Sequence, residues 1–181
     1  MKKKVMLLDE VAVDRALTRL SFEIIEKSEN PEKIVLVGIK TRGVPMANIL
    51  ARKIVEHGGP KLTVSELDIT FYRDDLSKMY EVPTVKAVDL NADIDGKEVI
   101  LVDDVIYTGR TIRAAIDAVF SKGRPDRIGL AVLVDRGHRE IPIKPDYVGK
   151  NVPTSRKEVI KVEFDETDGV TEVGLYELEA K

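Results

Sequence analysis

The stretch that most constrains this chain is residues 99–111, VILVDDVIYTGRT. Val99, Ile100, Leu101 and Val102 form a mostly β-branched apolar run, which fits a strand buried on both faces in the middle of a parallel sheet. The run gives way to two acids, Asp103 and Asp104. Tyr107, Thr108, Gly109, Arg110 and Thr111 follow, and then Ile112, Ala115, Ile116 and Val119 recur at helical spacing. A turn at a helix start carries free backbone N–H groups and the positive end of the helix dipole, and both suit a phosphate. Gly109 lets the backbone approach closely. Thr108 and Thr111 carry hydroxyls that can donate to phosphate oxygens, and the aspartates before the turn can accept from sugar hydroxyls. TGRT alone reads as an ordinary helix start. With a buried strand and paired acids attached, it reads as a site for a phosphorylated sugar. A nucleotide-triphosphate P-loop would need a glycine-rich loop closing in Gly-Lys-Ser/Thr, and the sequence has none.

Composition narrows the rest. At 181 residues one domain is expected over residues 1–181, long enough for a sizeable core. The net charge of −3 excludes a globally basic nucleic-acid binder, so any RNA contact has to be a local patch. With no cysteine there is no disulfide framework or thiolate metal site. Lys2, Lys3 and Lys4 precede an apolar run of only Val5 to Leu8, too short for a signal peptide. No apolar run spans a bilayer, and a cytoplasmic setting without membrane contact is expected. His57 and His138 are the two histidines and fall on different elements, so a metal site built from both is not expected.

Along the chain, residues 9–28 read as a helix capped by Asp9, with Val13, Leu17, Leu20 and Ile24 toward the core. Arg15, Thr18, Arg19 and Phe22 fall on the other side. Phe22 there either covers another subunit or serves as a contact residue among arginines. Asn30-Pro31 stops the helix. IVLVGI at residues 34–39 is a second buried strand. It runs into Lys40-Thr41-Arg42-Gly43, where Arg42 is a bidentate phosphate donor, and then a helix through about His57. A strand over residues 63–71 precedes a polar stretch through Asp89, long enough to be a lid. Residues 128–134 form another buried strand, ending in DRGHRE. Strand-like pieces follow near residues 147–148, 159–164 and 170–176. Repeated strand-turn-helix units predict an α/β fold: an open, mostly parallel sheet flanked by helices, with ligands at the carboxyl ends of the strands.

Residues 99–111 resemble the phosphoribosyl diphosphate (PRPP) signature of the type I phosphoribosyltransferases. The resemblance extends through ALTRL, LVGIKTRG, LDITFYRDDLS, LAVLVDRGHREIPI and DYVGKNVPTS to the family of bifunctional pyrimidine-operon attenuators with uracil phosphoribosyltransferase activity. It implies the type I fold with a flexible loop and a small hood. It also implies conversion of uracil and PRPP to UMP and diphosphate, through an oxocarbenium-like transition state, with Mg²⁺ bound mainly through PRPP. Carried over residue by residue, Thr108, Gly109, Arg110 and Thr111 hold the 5′-phosphate and Asp103 and Asp104 the ribose. Thr41, Arg42 and Arg73 hold the diphosphate, with a strained, sometimes cis, peptide between Lys40 and Arg42. Arg136 and His138 border the uracil pocket. Purine-using members carry an acid two residues before the loop glycine or nearby, and Ile106 and Tyr107 lack it, which disfavours purine salvage.

The same resemblance implies binding of a leader-mRNA stem-loop, promoted by uridine nucleotides such as UMP or UTP, through Thr18, Arg19, Phe22, Arg139, Lys144 and Lys150. Phe22 stands where relatives often have histidine; it can stack but cannot donate a hydrogen bond. The alternative that follows is a dedicated uracil salvage enzyme with a vestigial RNA face. A homodimer or higher assembly is the further expectation.

Overall fold

The structure, a computed structural model, describes residues 1–69 and 90–178. The elements are β1 (Lys2–Leu8), α1 (Glu10–Lys27), β2 (Ile34–Ile39), α2 (Gly43–Glu56), β3 (Thr63–Leu67), β4 (Glu98–Ile106), α3 (Arg110–Lys122), β5 (Arg127–Asp135), β6 (Tyr147–Asn151), β7 (Glu158–Glu163), α4 (Asp165–Asp168) and β8 (Glu172–Glu177). Five strands make a parallel sheet in the order β3-β2-β4-β5-β6, with β4 at its centre. The others form a small antiparallel sheet, β1-β8-β7, which is the hood.

The parallel sheet is where the continuous apolar runs placed it. All of β2 is buried. Its side chains alternate between faces, as a pleated strand requires. Ile34 and Leu36 join a core with Leu17, Leu20 and Ile24 of α1 and Leu50 of α2, while Val35, Val37 and Ile39 join a second core with Ile112, Ala115 and Val119 of α3. Burial on both faces leaves the strand ends as the places for polar chemistry.

Helix α1 starts as expected, with the Asp9 carboxylate accepting from the Ala12 N–H at 2.8 Å. Its second face is not bare. The Lys53 ammonium, buried between α1 and α2, donates to the Asp14 carboxylate at 2.5 Å and the Thr18 hydroxyl at 2.9 Å. The Arg19 guanidinium donates to the carbonyls of Val148 and Gly149 at 2.9 and 2.7 Å, tying α1 to β6. Two corrections concern strands. β4 continues through the acids to Ile106, with Asp103 opposite Val132 and Ile106 opposite Asp135 of β5, so the aspartates belong to the strand rather than ending it. Residues 2–8, read only as too short for a signal peptide, form β1, which pairs with β8 from Lys2–Glu177 to Leu8–Val173. Among the described residues no helix is long and apolar enough to cross a membrane.

Candidate functional site

The carboxyl ends of β2, β4 and β5 converge. Gly38 of β2 lies opposite Val102 of β4. A Cβ on Gly38 would stand 2.6 Å from the Val44 Cα and 2.7 Å from the Gly43 carbonyl oxygen, so the start of α2 lies directly on the strand. Gly43 in turn packs its α-carbon against the Val102 carbonyl. Two missing side chains therefore bring the 40–43 turn beside Asp103 and Asp104. Within that turn the Lys40–Thr41 peptide bond is cis.

A cavity of about 190 Å³ lies at this junction, lined by Lys40, Asp103, Asp104, Tyr107, Thr108, Gly109 and Thr111 among others. The acids and the turn that the sequence linked thus face one space. Asp103 is buried, and its Oδ1 accepts from the Asp104 N–H at 3.0 Å. Burial pushes the Asp104 carboxyl above its ordinary range, against the opposing pulls of Asp103, the Val105 N–H and the Arg42 charge. A carboxylate desolvated there gains from a ligand that brings hydroxyls or a cation. Gly109 has φ +93°, a left-handed conformation that opens α3 at the cavity its neighbours Thr108 and Thr111 line. The Arg110 guanidinium pairs outward with Glu140 at 2.7 Å.

Arg42 reaches the hood. Its Nη2 donates to Asp168 Oδ1 at 2.9 Å and its Nε to Oδ2 at 3.4 Å. Asp168 also accepts from the Phe164 N–H at 3.0 Å. Burial pushes the Asp168 carboxyl up, but the Phe164 N–H and the Arg42 guanidinium together hold it below the ordinary carboxylate range. Nothing local in the sequence announces this pair, whose members are 126 residues apart. Arg73 and the polar stretch expected as a lid lie outside the described residues.

The loop after β5 follows the turn after β4 residue by residue. The Arg136 N–H donates to the Ile106 carbonyl at 3.2 Å, and the Glu140 N–H to that of Thr108 at 3.0 Å. Between them the Arg139 guanidinium donates to the Tyr107 carbonyl at 2.6 Å, to the Ile143 and Gly137 carbonyls at 3.1 and 3.2 Å, and to the Asp135 carboxylate. Arg139, expected at the RNA face, here clamps this loop. Arg136 is buried; it donates to the Thr154 hydroxyl at 3.1 Å and the Ser155 and Glu158 carbonyls at 3.2 and 2.6 Å, and lies 4.1 Å over the Tyr107 ring. Burial lowers its pKa from the ordinary arginine range, with Tyr107 and Glu158 opposing. His138 has φ 59° and shares a 2.5 Å hydrogen bond between Nε2 and the Thr154 carbonyl, which makes Nε2 the protonated nitrogen. Arg136, His138 and Thr154 also line a second cavity of about 340 Å³. The expected base-pocket pair is thus adjacent to the acid-and-turn cavity, joined to it through Tyr107.

Of the remaining expected RNA residues, those of α1 lie on the helix face toward β6 and α2. Arg19 also pairs with Glu23 on its own helix. Thr18 donates to the Asp14 carbonyl at 2.8 Å. Phe22 is 44 % exposed and meets the His57 ring edge-on at 4.7 Å, at the end of α2. Lys144 and Lys150 are exposed, the latter beside the Gly149 carbonyl that Arg19 grips.

A parallel sheet with two acids, a threonine-flanked glycine turn and an arginine loop at its carboxyl edge belongs to the phosphoribosyltransferases: the phosphoribosyl transferase domain family matches residues 5–167, and this chain is a member of it. Solved structures agree at the level of fold. The hypoxanthine phosphoribosyltransferase of Staphylococcus aureus superposes with a TM-score of 0.74 at 22 % identity, covering 98 % of this chain and 92 % of that one. That of Trypanosoma cruzi gives 0.73 at 18 % identity, covering 98 % of each. Within the family the chain falls in the group named Bifunctional protein PyrR. It is 57 % identical over 177 residues to the protein of that name from Thermoanaerobacter pseudethanolicus, covering 98 % of this chain and 99 % of the relative. It is 55 % identical to that of Clostridioides difficile, covering 98 % and 100 %.

Proposed function

We infer that this chain is an attenuator of pyrimidine-biosynthetic operons that binds leader RNA under the control of uridine nucleotides and also converts uracil and PRPP to UMP and diphosphate. The observation that carries the reading is the single cavity shared by Asp103, Asp104 and the 108–111 turn, in a chain 57 % identical to a bifunctional relative over nearly its whole length.

In this reading the N–H groups and hydroxyls of residues 108–111 take the 5′-phosphate, and Asp103 and Asp104 accept from the ribose hydroxyls. Thr41 and Arg42 take the diphosphate. Charge grows on that leaving group as the C1–oxygen bond breaks, so the protein's main tasks are to hold it, neutralise it and exclude water. Arg42 must exchange Asp168 for the diphosphate. Mg²⁺ fits the site: two adjacent carboxylates, one of them desolvated, would serve as its protein donors while PRPP oxygens would supply the rest. When bound, the ion neutralises charge on the diphosphate. The RNA surface of this reading runs along the α1–β6 seam, where Arg19 and Lys150 adjoin, and takes in Lys144. RNA stem-loops are read by shape, stacking and backbone contacts, which a local patch can supply on an acidic protein. A homodimer or larger assembly belongs to the same reading.

Two measurements test it. Diphosphate release should require both uracil and PRPP; none above the no-uracil control refutes the enzymatic half. Leader-RNA titration at fixed salt should saturate and tighten with UMP; no UMP-enhanced binding refutes the attenuator half.

A further inference from the structure

Tyr107, which stands two residues before the loop glycine in place of the acid of purine-using members, has no ligand contact assigned so far, yet it is the one aromatic side chain among the described residues lining the cavity of Asp103, Asp104 and Thr108. Along β4 and its turn it stands between the acids that suit the ribose and the residues that suit the 5′-phosphate. Its ring is unusually well fixed. The Arg136 guanidinium lies 4.1 Å over its face, and the His138 ring meets it edge-on with centroids 5.7 Å apart. Arg136 is itself pinned by Thr154, Ser155 and Glu158. The Tyr107 carbonyl is gripped by Arg139 at 2.6 Å. A ring held by its neighbours loses little freedom when a ligand packs on it, so contact area turns into affinity with a small ordering cost.

We propose that Tyr107 is the specificity-determining residue of the base subsite, its ring being the wall against which the pyrimidine of uracil or UMP rests, with Arg136 and His138 as the residues that position that wall. The proposal rests on the phosphoribosyltransferase reading above for the identity of the base. It moves base recognition from the donors of Arg136 and His138, which the 154–158 segment occupies, to the aromatic surface they support.

The test compares Tyr107→Phe, Tyr107→Leu and Tyr107→Ala in the full chain. Affinities for UMP and for ribose 5-phosphate are measured calorimetrically, and KM values for uracil and PRPP by diphosphate release. Wild type should bind UMP more tightly than ribose 5-phosphate, and the ratio should fall about tenfold in Tyr107→Ala and Tyr107→Leu, the size of one aromatic contact. It should stay within about threefold of wild type in Tyr107→Phe, which keeps the ring. The KM for uracil should rise with the KM for PRPP within about twofold. A merely space-filling ring predicts equal losses for UMP and ribose 5-phosphate and rescue by Leu; either result overturns the proposal. So does wild-type binding of UMP no tighter than ribose 5-phosphate. If uracil turnover is absent but the ratio falls as stated, the subsite stands and the enzymatic reading alone fails.

Discussion

Replacing Gly38 by alanine tests whether the site is built by backbone contact. Gly38 is not held at positive φ, so the substitution probes space alone. The new Cβ would lie 2.6, 2.7 and 2.8 Å from the Val44 Cα, Gly43 carbonyl oxygen and Val44 nitrogen, where ordinary contact begins at 3.4 Å. All three are backbone atoms of the start of α2, so no side chain can swing aside, and about 0.8 Å of movement falls on the helix itself. Overpacking of this kind costs about 1–3 kcal/mol, or a Tm lower by roughly 3–10 °C for a chain of this size. The displaced helix carries Arg42 away from Asp103 and Asp104, and misplacement by about 1 Å can cost about a hundredfold in rate. The expected result is a folded protein whose kcat/KM for uracil transfer falls about ten- to a hundredfold. Gly129→Ala is the control, because its Cβ would meet only side-chain atoms at 3.6 to 3.8 Å. The reasoning is refuted if Gly38→Ala melts with wild type and keeps its activity within about threefold, or if Gly129→Ala loses as much.

Three other outcomes are expected. Asp104→Asn should abolish uracil-dependent diphosphate release yet raise Tm at pH 7: the folded site holds the Asp104 proton to higher pH than the unfolded chain does, so stability falls as pH rises through that window and the amide escapes the loss. An unchanged or lower Tm would contradict it. Asp168→Asn should lower Tm at pH 7, with the difference closing as pH falls below the ordinary carboxylate range. The Asp168 carboxyl is depressed in the fold, so its contribution is full above the unfolded pKa and lost as pH falls through the folded one; a pH-independent difference would argue against the pair with Arg42. Lys144→Ala should flatten the salt dependence of leader-RNA binding by about one unit of slope, and an unchanged slope would remove that residue from the RNA face.

The parallel sheet was legible because strands buried on both faces leave uninterrupted apolar runs, as in residues 34–39 and 99–102. The phosphate turn was legible because its chemistry is local: thirteen consecutive residues carry acids, hydroxyls and glycine in order. Strand β1 was not, since its lysines look like a solvated tail and its partner β8 lies at the other end of the chain. Charged residues were the least legible. Arg139 and Arg42 read as ligand donors, but nothing local announces the carbonyls of Tyr107 and Ile143 or the carboxylate of Asp168 that hold them here. Lys53 drew no attention in a helix of mixed pattern, and it is the buried bolt between two helices.

The rungs between residues 106–108 and 136–140 have an evolutionary corollary. Because two backbone rungs and the Arg139 side chain bind the carbonyls of residues 106, 107 and 108 in turn, a single insertion or deletion between the rungs in either segment would put them out of step. Descendants of such a scaffold can change the side chains along this fixed track more readily than its length.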